Sequence, residues 1–203
     1  MNEKRTPMMT IFLSVGFALS PALGFAQGTT TFSGDAVALK ATALGISLSL
    51  ADTGQLPSTG GNLSNSVASI NVAGIASANA LSGSTSGSGS SSQSQSMLLD
   101  LNLLNGLVTA SAVKSNSSAT CSGAQATVSG NAQLVGLTVA GQSILVSNPN
   151  LSVSLPGGIS VIINQQTSSS GGNSGSITVN ALHVTGPSID IVVASANSDI
   201  TCP

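Results

Sequence analysis

Apolar and polar residues alternate with period two through most of the chain beyond residue 36. That spacing sends successive side chains to opposite faces of a strand. In "AVALKATALGISLSL" at 36–50, Val37 and Leu39 face one way, and Ile46, Leu48 and Leu50 repeat the pattern. "MLLDLNLLNGLVTASAV" at 97–113 sets Leu99, Leu101 and Leu103 against Asp100 and Asn102. Asn105-Gly106 follows, a pair that tolerates the positive φ of a tight hairpin, and Val108, Ala110 and Ala112 resume the alternation. Leu151, Val153 and Leu155 lead into Pro156-Gly157-Gly158, and Ile159, Val161 and Ile163 lead out, which predicts a second hairpin. "SITVNALHV" and "SIDIVVASA", divided by Thr185-Gly186-Pro187, form a third pair. No helical periodicity is sustained. The pattern predicts an all-β, antiparallel, β-sandwich-like single domain with long hairpins. A β-solenoid is the alternative architecture, although no repeat of constant period is visible.

Two segments interrupt the alternation of apolar and polar residues. Residues 82–96 read "SGSTSGSGSSSQSQS" and residues 167–176 read "TSSSGGNSGS". Neither carries enough apolar surface to order itself, so both are expected to be mobile loops between strands. The pieces they separate are too short for cores of their own, and 27–203 reads as one domain.

Residues 1–26 read as a signal peptide. Lys4 and Arg5 precede an apolar stretch from Met8 to Leu19, and Gly24-Phe25-Ala26 supplies a small-x-small site for cleavage between Ala26 and Gln27. The stretch falls short of the roughly 20 residues that span hydrocarbon, and no transmembrane segment is expected after cleavage. Beyond Ala26 the ionic residues are Asp35, Asp52, Asp100, Asp190 and Asp199 against Lys40 and Lys114. Two bases cannot neutralise a phosphate backbone, so nucleic acid is excluded as a partner class. Trp and Tyr are absent and Phe32 is the sole aromatic beyond the leader, which leaves Leu, Ile, Val and Ala to build the core.

Export makes a disulfide the expected state of the two cysteines, Cys121 and Cys202. "NSSATC" at 116–121 and "NSDITC" at 197–202 share Asn-Ser-x-x-Thr-Cys, as though equivalent ends of two similar strands lie side by side. The predicted location is extracellular, at a bacterial cell surface, or periplasmic.

Candidate chemistry is sparse. "ADTGQLPSTGG" at 51–61 contains both an aspartic-protease triplet, Asp52-Thr53-Gly54, and a wall-sorting pentapeptide, Leu56 to Gly60. An aspartic protease needs two carboxylates sharing a proton, and no second triplet occurs. A sorting signal works from a C-terminus, and this one is internal. The stretch reads as a turn between strands. His183 in "ALHVT" could serve a hydrolase with an unassigned serine and aspartate, but no Gly-x-Ser-x-Gly elbow accompanies it, and a strand histidine facing solvent is the plainer reading. No catalytic residue, cofactor or metal set is signalled. Sugar-binding clefts that stack rings on aromatic faces are not served by this composition.

The ordered pieces "FSGDAVAL", "ADTGQLPSTGG", "LNLLNGLVTASAV" with "SSATC", "LVGLTVAGQ", "LPGG", "GSITVNALHV" and "SDIT" resemble the choice-of-anchor P family of bacterial exported proteins. That resemblance implies an extracellular or surface β-domain without an established enzymatic activity. Two departures matter. Gln165 stands where the family often carries an acidic residue, which weakens an ion site there. Wall attachment does not carry over, because Cys202 is not followed by an anchor, so release or non-covalent retention is expected. Together these readings predict a secreted or cell-surface structural or adhesive domain, or a ligand-binding or fibre-forming extracellular module. The partners expected are a surface, a matrix or further copies of the chain.

Overall fold

The computed structural model describes residues 28–43, 45–146 and 148–203. The predicted leader and its Ala26/Gln27 cleavage site lie outside the described residues. The strands are β1 (Thr31–Ala43), β2 (Ile46–Leu50), β3 (Gly61–Val72), β4 (Ala76–Ser88), β5 (Ser91–Leu103), β6 (Val108–Ser122) and β7 (Gln125–Val135). They continue with β8 (Thr138–Val139), β9 (Gln142–Ser143), β10 (Leu151–Leu155), β11 (Ile159–Gly171), β12 (Ser174–Gly186) and β13 (Ile189–Thr201). All pairings are antiparallel, and no helix occurs among the described residues. The expected all-β sandwich is what forms, rather than the solenoid alternative.

One sheet has the order β10-β11-β12-β13-β1-β2. The other runs β3-β4-β5-β6-β8-β9, with β7 also paired to β6. The chain crosses between them twice, between β2 and β3 and again between β9 and β10. β1 and β13 pair from Thr31↔Thr201 to Ala43↔Ile189, so the first and last strands lie side by side along their full length. The predicted hairpins at Asn105-Gly106, Pro156-Gly157-Gly158 and Gly186-Pro187 are all present.

The alternation is not continuous, however. In β5 the inward residues are Ser92, Ser94, Ser96 and Leu98, and then Leu101 and Leu103. The same one-residue change of phase occurs in β4 between Ala78 and Leu81, in β6 between Ala110 and Val113, and in β13 between Val193 and Ala194. Register skips mark it at Ala38/Ala194, Ala181 and Asp100/Ser111. Several residues on this line adopt left-handed backbone: Ala80 (φ 48°), Asp100 (φ 51°), Asn164 (φ 51°) and Ala194 (φ 47°). A single residue in that conformation swaps the faces of everything beyond it. Leu99, expected inside with Leu101, is therefore turned out and Leu98 takes its place. Alanine is strained there and a β-branched residue more so. Ala80→Val should cost about 1–2 kcal/mol, whereas Ala80→Gly should be close to neutral; paired urea titrations read both.

The line of phase change divides the interior into two halves. On one side lies most of the aliphatic core, including Leu39, Leu101, Leu103, Ile163, Leu182 and Ile191. On the other, past Leu81, Leu98 and Val113 next to the line, the inward residues of β4, β5 and β6 include Gly83, Thr85 and Gly87, Ser92, Ser94 and Ser96, and Ser115 and Ser117. These are the segments expected to be mobile loops, and that expectation is overturned: 82–96 forms most of a paired hairpin and 167–176 another. Small inward residues let the sheets approach until hydroxyls reach across. Ser96 Oγ donates to the Val37 carbonyl (3.0 Å), Ser92 Oγ to that of Ser33 (3.1 Å) and Ser94 Oγ to that of Asn197. Thr85 and Ser94 hydroxyls lie 2.7 Å apart. The sheets are so close that a Cβ on Gly83 would stand 2.6 Å from the Ala51 carbonyl oxygen. Serine here acts as a small interior residue with a hydrogen bond to offer, not as a solvated loop residue.

Cys121 and Cys202 are bonded, with Cα atoms 5.6 Å apart and a sequence separation of 81. The two Asn-Ser-x-x-Thr-Cys segments do lie together, one in each sheet. Ser117 and Ser198, the second residue of each, meet through their hydroxyls at 2.8 Å in the interior.

Candidate functional site

The inward phase of β4–β7 dictates the outward one. With Ser92, Ser94 and Ser96 inside, Gln93 and Gln95 must point out, and antiparallel register aligns them with their neighbours. One row across the outer face is Asn62–Ser86–Gln93–Ser118–Ser129. The next is Ser64–Ser84–Gln95–Asn116–Asn131, and a shorter third is Ser88–Ser91–Thr120–Thr127. Rows of this kind repeat about every 4.8 Å across the strands and, two residues on, about 6.7 Å along them. Every position carries a hydroxyl or a carboxamide, so each offers both a donor and an acceptor. Beyond the second row, Met97 and Lys114 end the uncharged area.

The surface is shallowly hollowed. A depression of about 430 Å³ lies over Ser84, Ser86, Gln93, Gln95, Asn116 and Asn131. A second of about 390 Å³ adjoins it over Ser64, Ser66, Ser82 and Ser84. Few side chains in this area bond to one another: Gln93 reaches Ser91 at 3.2 Å, and Thr120 reaches Thr127 at 2.9 Å. Most of the grid's hydrogen-bonding capacity points to whatever lies in front of it.

The opposite face of the molecule carries most of the charge. Asp35 sits on β1 beside Asn197, two pairs along from Ser33 and Asp199. Burial first, and then the Asp52 and Asp199 carboxylates, push the Asp35 carboxyl above the ordinary aspartate range, with Lys40 pulling the other way. A raised native value means that ionisation opposes folding, so this group's contribution falls as pH climbs from the ordinary aspartate range through its native value. Asp35→Asn should then stabilise at neutral pH, by less than about 1 kcal/mol because the carboxyl is screened. The gain should vanish in acid, which melting curves across pH would display.

The sequence candidates lie apart from the grid. Asp52 closes a turn: its carboxylate accepts from the Gly54 amide (2.8 Å) and the Ser49 hydroxyl (2.8 Å). The rest of the stretch lies along β1, with Thr53 and Leu56 amides donating to the Ala36 and Gly34 carbonyls and Leu56 buried against Phe32. His183 lies on the outward face of β12, between the inward Leu182 and Val184, and its ring is held on both sides. Its Nδ1 lies 3.0 Å from Gln165 Oε1, which also accepts from Asn180, and its Nε2 lies 2.9 Å from Asp190 Oδ1. The hollow of about 160 Å³ beside it is lined by Lys40, Thr42, His183, Asp190 and Val192. Among the described residues no cluster of His, Cys, Asp and Glu could hold a metal ion, and no helix is long and apolar enough to cross a membrane.

Reasoning from sequence missed the grid. Its signal was present in "SSQSQS", where small and large polar residues alternate with period two. No family model matches the chain, and comparisons with curated proteins and with solved structures find no match either.

Proposed function

We propose that the protein is an exported adhesive domain that uses the grid on β3–β7 to hold a neutral, hydroxyl-rich polymer, a polysaccharide being the chemistry that fits. The observation that carries this reading is the composition of two complete five-strand rows, all Ser, Asn and Gln, in an area free of ionic groups as far as the Met97–Lys114 row. Carboxamides and hydroxyls match sugar hydroxyls in both donor and acceptor roles, and an uncharged face gains nothing from a phosphorylated or sulfated partner. Each exposed hydrogen bond contributes only about 0.5–1.5 kcal/mol net. With no aromatic ring to stack on a sugar, adhesion of this kind depends on many bonds made together. The leader, the disulfide and the resemblance to the choice-of-anchor P family support export and a place at or beyond the cell envelope.

The test is co-sedimentation of the exported chain with insoluble neutral polysaccharides and with sulfated and phosphate-bearing polymers. The reading expects retention on a neutral polymer that added salt does not weaken, since no charge is there to be screened. Gln95→Leu with Asn116→Leu should abolish retention without unfolding the domain. Retention on charged polymers alone, or retention indifferent to that pair, would refute it.

A further inference from the structure

Among the described residues, the grid-bearing sheet ends in a strand whose outer edge no other strand pairs with. β3 runs for 12 residues, Gly61–Val72, and among the described residues its only substantial strand neighbour is β4. Along its other edge, alternate backbone N–H and C=O groups face outward. Proteins blunt such edges with charges, proline, short strands or a covering segment. β3 uses none of these: "GNLSNSVASINV" contains no ionic residue and no proline.

The remaining edges are managed. β2 and β10 are five residues each, and β9 is two. β7 is long, but it packs on β11 and β12 of the opposing sheet, and the Ala126 amide donates to the Gly172 carbonyl there (3.1 Å). By contrast, among the described residues the one side-chain hydrogen bond from β3 beyond its own sheet is Asn65 Nδ2 donating to the carbonyl of Asp52, in the segment after β2 (2.8 Å).

A second feature points the same way. Leu63, Val67, Ile70 and Val72 form the inward side of β3, and all four are only partly buried. A further strand laid along β3 would cover them. We infer that β3 is a pairing edge for a second copy of this chain, the two β3 strands running antiparallel about a two-fold axis so that the sheets join into one. The arrangement is self-complementary, since each copy offers the same edge and the same half-covered aliphatics. It also has a consequence for the outer surface. Ser64 and Ser66 of each copy would lie opposite the 69–71 end of its partner, so that the two grids share one continuous sheet face, offset across the joint.

This inference does not rest on the polysaccharide reading. A monomer that still binds polymer would remove the pairing and leave adhesion standing; a dimer that binds none would do the reverse. Sedimentation velocity of the exported chain over a dilution series should show a monomer–dimer equilibrium. Ser66→Lys with Ser69→Lys puts four like charges along the joint and should weaken association at least tenfold, while melting temperature and disulfide content stay near those of the parent chain. In the unaltered chain, NMR amide exchange should slow at alternate residues of β3 as concentration rises, which needs no variant to fold. A monomer at every concentration, a dimer indifferent to the lysines, or a dimer whose β3 amides are unaffected would each overturn the assignment.

Discussion

Replacing Cys121 and Cys202 together by serine should lower the free energy of unfolding by about 4.5 kcal/mol, the chain-entropy value for a loop of this length. The bond joins the end of β6 in one sheet to the residue after β13 in the other, with Cα atoms 5.6 Å apart. Without it, β13 loses its covalent tie to the opposing sheet and β1 loses the fixed end of its longest pairing. The cluster around the bond is small, with Phe32, Leu56, Ala119, Ala126 and Ile200, so little apolar burial is available to offset the loss. Since domains of this size hold only about 5–15 kcal/mol in total, the variant should be marginal at body temperature. Urea titration of oxidised, reduced and double-serine chains measures the difference. Equal midpoints in all three would show that the closure adds nothing.

Ser96→Leu should be nearly as damaging, and Ser96→Ala much less so. Ser96 is fully buried, and its hydroxyl donates to the Val37 carbonyl on the facing sheet. Leucine must force the sheets apart where their backbones nearly touch, at about 1–3 kcal/mol for overpacking. It also strips a buried carbonyl of its partner, adding about 1–3 kcal/mol. Alanine keeps the spacing and carries only that second cost, since it leaves the same carbonyl without its partner. The ordering of the two variants separates size from hydrogen bonding. If leucine is tolerated as well as alanine, the sheets are not in close contact there.

The contrast between those substitutions explains what could be read from the chain and what could not. Hydrophobic alternation located the hairpins at Asn105-Gly106, Pro156-Gly157-Gly158 and Gly186-Pro187, because those strands bury Leu, Ile and Val against the other sheet. It failed on 82–96, where burial is by Ser, Thr and Gly, and hydropathy scores such residues as loop. Period two was present in side-chain size, with Ser92, Ser94 and Ser96 alternating with Gln93 and Gln95. The phase change at Ala80, Asp100, Asn164 and Ala194 was not legible either, since alanine advertises no left-handed backbone. It explains why Leu98 rather than Leu99 is inside. The shared Asn-Ser-x-x-Thr-Cys ends were informative: repeated residues in the two sheets meet at Ser117–Ser198 and at the disulfide.

The grid depends on the same fact as the serine-lined interior. Only when 82–96 is strand do Gln93 and Gln95 face outward in register with Asn116, Ser118, Ser129 and Asn131. Were the segment a loop, the polar grid would not exist, and β3 would have no sheet to extend.

Hydrogen exchange at the backbone amides of Ser92, Ser94 and Ser96 tests that foundation most directly. Strands closed between two sheets should protect these amides to nearly the same degree as those of Leu101 and Leu103, at opening free energies close to global unfolding. Exchange as fast as in an unstructured serine-rich peptide would mean that the segment is a loop after all.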